Sequence, residues 1–256
     1  MKISFWVLAM SLLFISACGG EKRVEENRED RSLSDQKTLA VASYYRGNFQ
    51  QAIDDLKKAE EINPQDPEVH LIRGVIYFKL KDYKQSEVSY RRAVELKPSY
   101  SEARYNLCSL YLTTGNLDGA IEQCSKAASD VVYKLRVNAI TSLGTAYFRK
   151  GNVDKAKEYY EQALQLNPAF VFTHNELGKL YMATGKEQKA IEEFRRAVEG
   201  YDLYDEAHYN LALAYLKVGK RDLACQSFEK VAQISPNSAI GVNARSYLDS
   251  LCKVQK

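Results

Sequence analysis

From residue 33 onward the apolar side chains fall on helical spacings, and the same arrangement returns again and again. A glycine turn marks most copies: Arg46-Gly47-Asn48, Thr114-Gly115-Asn116, Lys150-Gly151-Asn152, Thr184-Gly185-Lys186 and Val218-Gly219-Lys220. From Gly115 the steps are 36, 34 and 34 residues, and the 68 residues from Gly47 to Gly115 hold two steps, with Lys81 at the middle turn. Five residues after each turn stands a small side chain: Ala52, Ser86, Ala120, Ala156, Ala190 and Ala224. Four further on comes a larger one: Leu56, Tyr90, Cys124, Tyr160, Phe194 and Phe228. Then follow Ala59, Ala93, Ala127, Ala163, Ala197 and Val231, and four copies close on Pro64, Pro98, Pro168 and Pro236. Upstream of each turn, Ala40, Gly74, Cys108, Gly144, Gly178 and Ala212 hold a second small position. Tyr77, Tyr111, Tyr147, Tyr181 and Tyr215 sit three residues later. The pattern predicts two helices per copy. Glycine, free to adopt positive φ, ends the first helix. Small residues let the two helices approach, and proline stops the second.

These spacings resemble the tetratricopeptide repeat, a helix-turn-helix unit of 34 residues. The resemblance implies an all-α fold, a right-handed superhelical solenoid of six repeats over residues 33–236. Residues 238–252, SAIGVNARSYLDSLC, predict one more amphipathic helix on Ala239, Val242, Tyr247 and Leu251. Residues 237–256 thus form a cap and tail, which a solenoid needs over its last apolar face.

The start of the chain has a different grammar. Lys2 is followed by a mostly apolar run, Ile3 to Ile15, then the small Ser16 and Ala17. The run is shorter than the roughly 20 residues a membrane-spanning helix requires, and it reads as a secretory leader over 1–17. Ile15-Ser16-Ala17-Cys18 resembles the lipobox of bacterial lipoproteins, which implies cleavage before Cys18 and acylation of that cysteine. More than one acyl chain anchors a protein stably where a single chain is marginal. Residue 19 is glycine, not the aspartate that retains many such lipoproteins at the inner membrane, so the resemblance implies the periplasmic face of the outer membrane. In residues 19–32, GGEKRVEENREDRS, nine of fourteen side chains are charged, and 18–32 is expected to be a disordered tether.

Composition narrows the chemistry. Net charge is +3, falling to +2 when Lys2 leaves with the leader, and no basic stripe suggests nucleic acid. No phosphate loop, HExxH or paired CxxC occurs, so neither enzyme activity, cofactor nor small-molecule substrate is expected. His70, His174 and His208 share one repeat position, which favours packing over metal binding. Beyond Cys18 four cysteines remain, at 108, 124, 225 and 252, and allow three pairings. Cys108 and Cys124 lie on antiparallel helices that turn near Gly115, so their Cα atoms fall within roughly 5–6 Å, the range of a disulfide. Cys225 and Cys252 are on adjacent helices but about 7 Å out of step, which makes that bond the less favoured one.

Stacked repeats line a concave face with their first helices, and such faces bind protein segments. Repeat register turns Tyr45, Phe78, Lys79, Tyr105, Leu112, Phe148, Arg149, Asn175, Lys179, Met182, Tyr209 and Lys217 toward it. The aromatic and basic character suggests an extended ligand segment with apolar and acidic side chains. The third copy is irregular. It lacks its proline, is two residues longer, and reads Ala127-Ala128-Ser129-Asp130-Val131-Val132-Tyr133-Lys134-Leu135-Arg136 before Asn138 and Leu143-Gly144. With the lipobox and the six repeats, this junction resembles the type IV pilus pilotin lipoproteins, also called pilus biogenesis/stability proteins. That resemblance implies a partner, the secretin subunit, which pilotins help to reach the outer membrane and assemble into a ring. The alternative is a general periplasmic scaffold lipoprotein serving peptidoglycan enzymes or the outer-membrane protein insertion machinery.

Overall fold

A computed structural model describes residues 28–252. The leader, Cys18 and most of the tether lie outside the described residues. The described chain is all helix and turn: α1 (28–45), α2 (Phe49–Ile62), α3 (Pro67–Lys79), α4 (Tyr83–Leu96), α5 (Ser101–Thr114), α6 (Leu117–Ser129), α7 (Arg136–Arg149), α8 (Val153–Leu166), α9 (Val171–Ala183), α10 (Glu187–Gly200), α11 (Asp205–Lys217), α12 (Arg221–Ile234) and α13 (Ala239–Tyr247), then a π-helical turn Leu248–Cys252. Odd-numbered helices from α1 to α11 are the first helices of six tetratricopeptide hairpins, and even-numbered ones the second. The chain divides into two compact units at Asn106–Leu107, within α5.

Sequence accounts for each hairpin. Gly47, Gly115, Gly151, Gly185 and Gly219 all have φ between 68° and 84°, and Lys81 adopts the same conformation at φ 61° in the second copy. Asp82, Asn116 and Asn152, next along the chain, cap the second helix by accepting from the backbone N–H of Gln85, Gly119 and Lys155. The two small-residue rows meet the large residue of the same copy. A Cβ on Gly74 would lie 2.4 Å from the Tyr90 ring, and one on Gly144 or Gly178 would lie 2.7 or 2.5 Å from Tyr160 or Phe194. Ser86 replaces alanine without a buried orphan, because its hydroxyl donates to the Gly74 carbonyl at 2.9 Å.

The shared histidine position has a structural job. Nε2 of His70, His174 and His208 meets the carbonyl of the residue six earlier, Pro64, Pro168 and Asp202, at 3.4, 2.8 and 3.0 Å. A carbonyl can only accept, so these Nε2 atoms carry the proton. In the third copy Arg104 takes over and donates twice to Pro98 O, at 2.9 and 2.6 Å. Each contact ties a first helix to the turn that leads into it.

Three expectations change. Residues 28–32, assigned to the tether, are the opening turn of α1, whose Leu33 is buried. Glu29 and Asp30 suit a helix N-terminus, where the exposed N–H groups attract negative charge. The last helix buries Gly241 and Ala244 and packs Ile240, Tyr247 and Leu248 on the second unit's core, while Val242 is half exposed. That stripe runs i, i+4, i+7, i+8 from Ile240 and shares Tyr247 with the one read in the sequence, whose Ala239 and Val242 are exposed. Finally, the π turn, with its wider i→i+5 spacing, brings Cys252 to Cys225, and the two are disulfide-bonded with Cα atoms 5.9 Å apart. Cys108 and Cys124 are also bonded, at a Cα separation of 5.4 Å.

Candidate functional site on the first helices

In the second unit, side chains of α7, α9 and α11 form one linked network with Tyr160 of α8 and Tyr204 of the turn before α11. Thr145 Oγ1 on α7 lies 3.1 Å from the Tyr160 hydroxyl and donates to Glu176 at 3.4 Å. Lys179, one turn along α9, binds Glu176 at 2.6 Å and Glu206 of α11 at 3.2 Å. Burial alone would lower the Lys179 pKa, but these two carboxylates outweigh it and hold the ammonium above its ordinary value. Asn175 is fully buried beneath them. Its amide nitrogen donates to the Tyr204 hydroxyl at 3.1 Å and to Glu206 at 3.3 Å, and its oxygen accepts from Asn210 at 2.9 Å. With both ends used, the amide has one satisfied orientation.

Tyr204 leads from this network to an aromatic ledge in the turns before α9 and α11. Ring centroids of Phe170 and Phe172 are 5.4 Å apart, and those of Phe172 and Tyr204 5.2 Å. Phe172, Tyr201 and Leu203 are each about half exposed, at 46, 47 and 57 %. Exposed rings beside a rigid polar network are the arrangement that protein interfaces use for anchoring side chains.

The residues expected on the binding face fall into three groups. Asn175 and Lys179 are joined through Glu206, and Phe148, Met182 and Tyr209 pack half-exposed on the second unit's apolar core. Asn175 lies beneath the surface, not on it. Arg149 is exposed and donates to the Leu112 carbonyl in the last turn of α5, satisfying one of the carbonyls that helix ends leave open. Lys217 is exposed at the end of α11. In the first unit, Tyr45 is exposed at the end of α1, with its ring edge-on to Tyr44. Phe78 is half-buried against Tyr83 at 5.7 Å, Lys79 is exposed, and Tyr105 is half-buried on α5.

The acidic ligand expected from the sequence treated Lys179 as an open cation. Glu176 and Glu206 give that cluster one positive and two negative charges, so Lys179 is not an open cation there. Glu176, Glu206 and Asn210 were missed, although Glu176 and Lys179 at i and i+3 are a readable helix pair. The ledge was missed because its aromatics lie in or beside turns, outside the repeat's core positions. Among the described residues no group of three or more His, Cys, Asp or Glu side chains is placed to hold a metal ion.

Comparison with known proteins agrees with this architecture. Profiles of the tetratricopeptide repeat match residues 67–100 and 137–170, residues 42–81, and residues 175–239, together more than half of the chain. The type IV pilus assembly protein PilF of Pseudomonas aeruginosa is 26% identical over 129 residues, 50% of this chain and 51% of that protein. A STIP1 homologue of Dictyostelium discoideum is 33% identical over 89 residues, 33% of this chain and 16% of its own. The chain thus matches about half the length of the first relative and less of the second. Among solved structures, Pseudomonas aeruginosa PilF superimposes with TM-score 0.71 at 20% identity, covering 85% of this chain and 98% of its own. PilW, described as a widely conserved type IV pilus biogenesis factor, gives 0.73 at 20% identity, covering 83% and 98%. At that identity the likeness is one of fold.

Proposed function

We propose, for a chain that belongs to the tetratricopeptide-repeat family, a role as a lipid-anchored assembly factor of the type IV pilus, a binding protein and not an enzyme. In this reading Cys18 carries the acyl chains and places the protein on the periplasmic face of the outer membrane. The repeats bind secretin subunits and promote their delivery and multimerisation. The observation that carries the proposal is the match to one pilus protein in sequence and to two in fold, the latter covering 98% of each. The aromatic ledge and the network around Lys179 supply a rigid surface with the composition of a protein-binding site.

The direct test is co-purification of the secretin subunit with this chain from cells that make both. Phe172→Ala combined with Tyr201→Ala should reduce recovery by roughly tenfold or more, the loss expected when aromatic anchors are truncated. Undiminished recovery would move the contact elsewhere, and no recovery with the wild-type chain would remove the secretin as its partner.

A further inference from the structure

One register position in the first unit breaks the repeat. The residue preceding the small position of each first helix is leucine in five copies: Leu39, Leu107, Leu143, Leu177 and Leu211. In the second copy it is Arg73. Its guanidinium donates to Glu60 of α2 at 2.7 Å. Glu60 is itself an exception, since the same position of later second helices holds Val94, Ala128, Leu164, Val198 and Ala232. An ion pair therefore stands where other copies place two apolar side chains. Arg73 is largely withdrawn from water and Glu60 is about one-third exposed, with side chains 16 and 36 % exposed. Such a pair is often no more stabilising than the hydrophobic pair it replaces, so stability does not explain it. Departures from local pattern of this kind are expected at functional positions.

The pair lies against a cleft of about 620 Å³ between α2 and α4, with Ile53, Tyr77 and Val88 as apolar lining. Four cations border it, Lys57, Arg73, Arg91 and Arg92, against two carboxylates, Glu60 and Glu95. The matching cleft between α10 and α12, where the register reads Val198 and Leu211, measures about 290 Å³ and has two cations, Arg195 and Lys230. The rim cations of the larger cleft hold exposed side-chain partners: Lys57 pairs with Asp54 at 3.5 Å and Arg91 with Glu87 at 2.8 Å, and Arg92 reaches both Glu95 and, in the turn before α3, Gln65 at 3.4 Å. Exposed pairs of this type contribute about 0.2–0.5 kcal/mol each, so an arriving carboxylate can replace them. Arg73 makes one hydrogen bond to Glu60 from a fork of five donors. The Glu60 carboxyl is held below its ordinary pKa, first by that hydrogen bond, so it stays ionised and keeps Arg73 in place.

We propose that the cleft between α2 and α4 binds an acidic, partly apolar protein segment, with Arg73 receiving a carboxylate at its floor and Lys57, Arg91 and Arg92 engaging others at its rim. This site is separate from the first-helix face of the second unit and does not depend on the secretin reading. The test is fluorescence anisotropy of the full chain in detergent with a labelled peptide of alternating glutamate and leucine. Its glutamine-leucine counterpart serves as the neutral control. The acidic peptide should bind saturably and weaken as salt is raised. Arg73→Leu combined with Glu60→Val, which restores the apolar pair of the other copies, should weaken binding by roughly tenfold or more, the worth of a hydrogen bond to a charged group. Reversing the exposed Lys57→Glu and Arg92→Glu, changes that leave the core untouched, should do the same. The proposal is overturned if the wild-type chain shows no saturable binding, if the glutamine peptide binds equally well, or if the reversed rim leaves affinity unchanged.

Discussion

Asn175 shows how much of the candidate site rests on single side chains. It is fully buried, and its two amide ends connect Tyr204, Glu206 and Asn210. Asn175→Ala leaves those groups without their partner and should cost about 1–3 kcal/mol, measured by urea unfolding, with a larger loss in secretin recovery than its distance from the surface suggests. The histidines offer a second test. Burial pushes His70 and His208 below their ordinary pKa of 6.5. Above that value both folded and unfolded chains are neutral at these sites and stability is complete. As pH falls through it, the unfolded chain takes up protons that the folded chain resists, and stability drops until the lowered folded pKa is passed. The urea midpoint should therefore fall on the acid side of this range, and by less in His208→Gln; equal falls would refute this account. In the sequence these residues were legible as a shared position. Their bond to the carbonyl six residues back was not, because it depends on how the preceding turn folds over the helix.

At the scale of elements, the repeat was legible because small and large residues alternate at fixed spacing, and the structure sets those rows against each other. Legibility failed at the ends of the repeat array. Residues 28–32 carry no apolar pattern, yet they extend α1. The final helix packs Ile240, Ala244 and Leu248 where the sequence pointed to Ala239, Val242 and Leu251, and a π turn resets the position of Cys252. Two measurements address elements directly. Lys81 holds a left-handed conformation that costs a non-glycine residue roughly 1–2 kcal/mol, and the turn residue of the other five copies is glycine. Lys81→Gly should raise unfolding stability by about 1 kcal/mol; a loss would show that the lysine makes an offsetting contribution. The bond between Cys108 and Cys124 closes a separation of 16 residues and that between Cys225 and Cys252 one of 27. Each should contribute about 3 kcal/mol by restricting the unfolded chain, so Cys108→Ala with Cys124→Ala should lower the thermal midpoint clearly. An unchanged midpoint in the double variant would contradict this.

For the whole molecule, the proposal joins an address to a binding region. The address, Ile15-Ser16-Ala17-Cys18, implies a lipid anchor, and the binding region is a run of tetratricopeptide hairpins. The candidate surface was only partly legible. Aromatic and basic side chains identified the first helices, but whether a cation is open to a ligand depends on neighbours from other helices. Glu176 and Glu206 close Lys179, whereas the cations around Arg73 remain at a cleft. Changing Cys18 to serine should leave folding intact and remove the protein from the outer-membrane fraction. Whether this chain promotes secretin assembly is decided by blotting for heat- and SDS-resistant secretin multimers in cells with and without its gene. Loss of multimers while secretin monomer persists is the predicted result; multimers unchanged in amount and still in the outer membrane would contradict it.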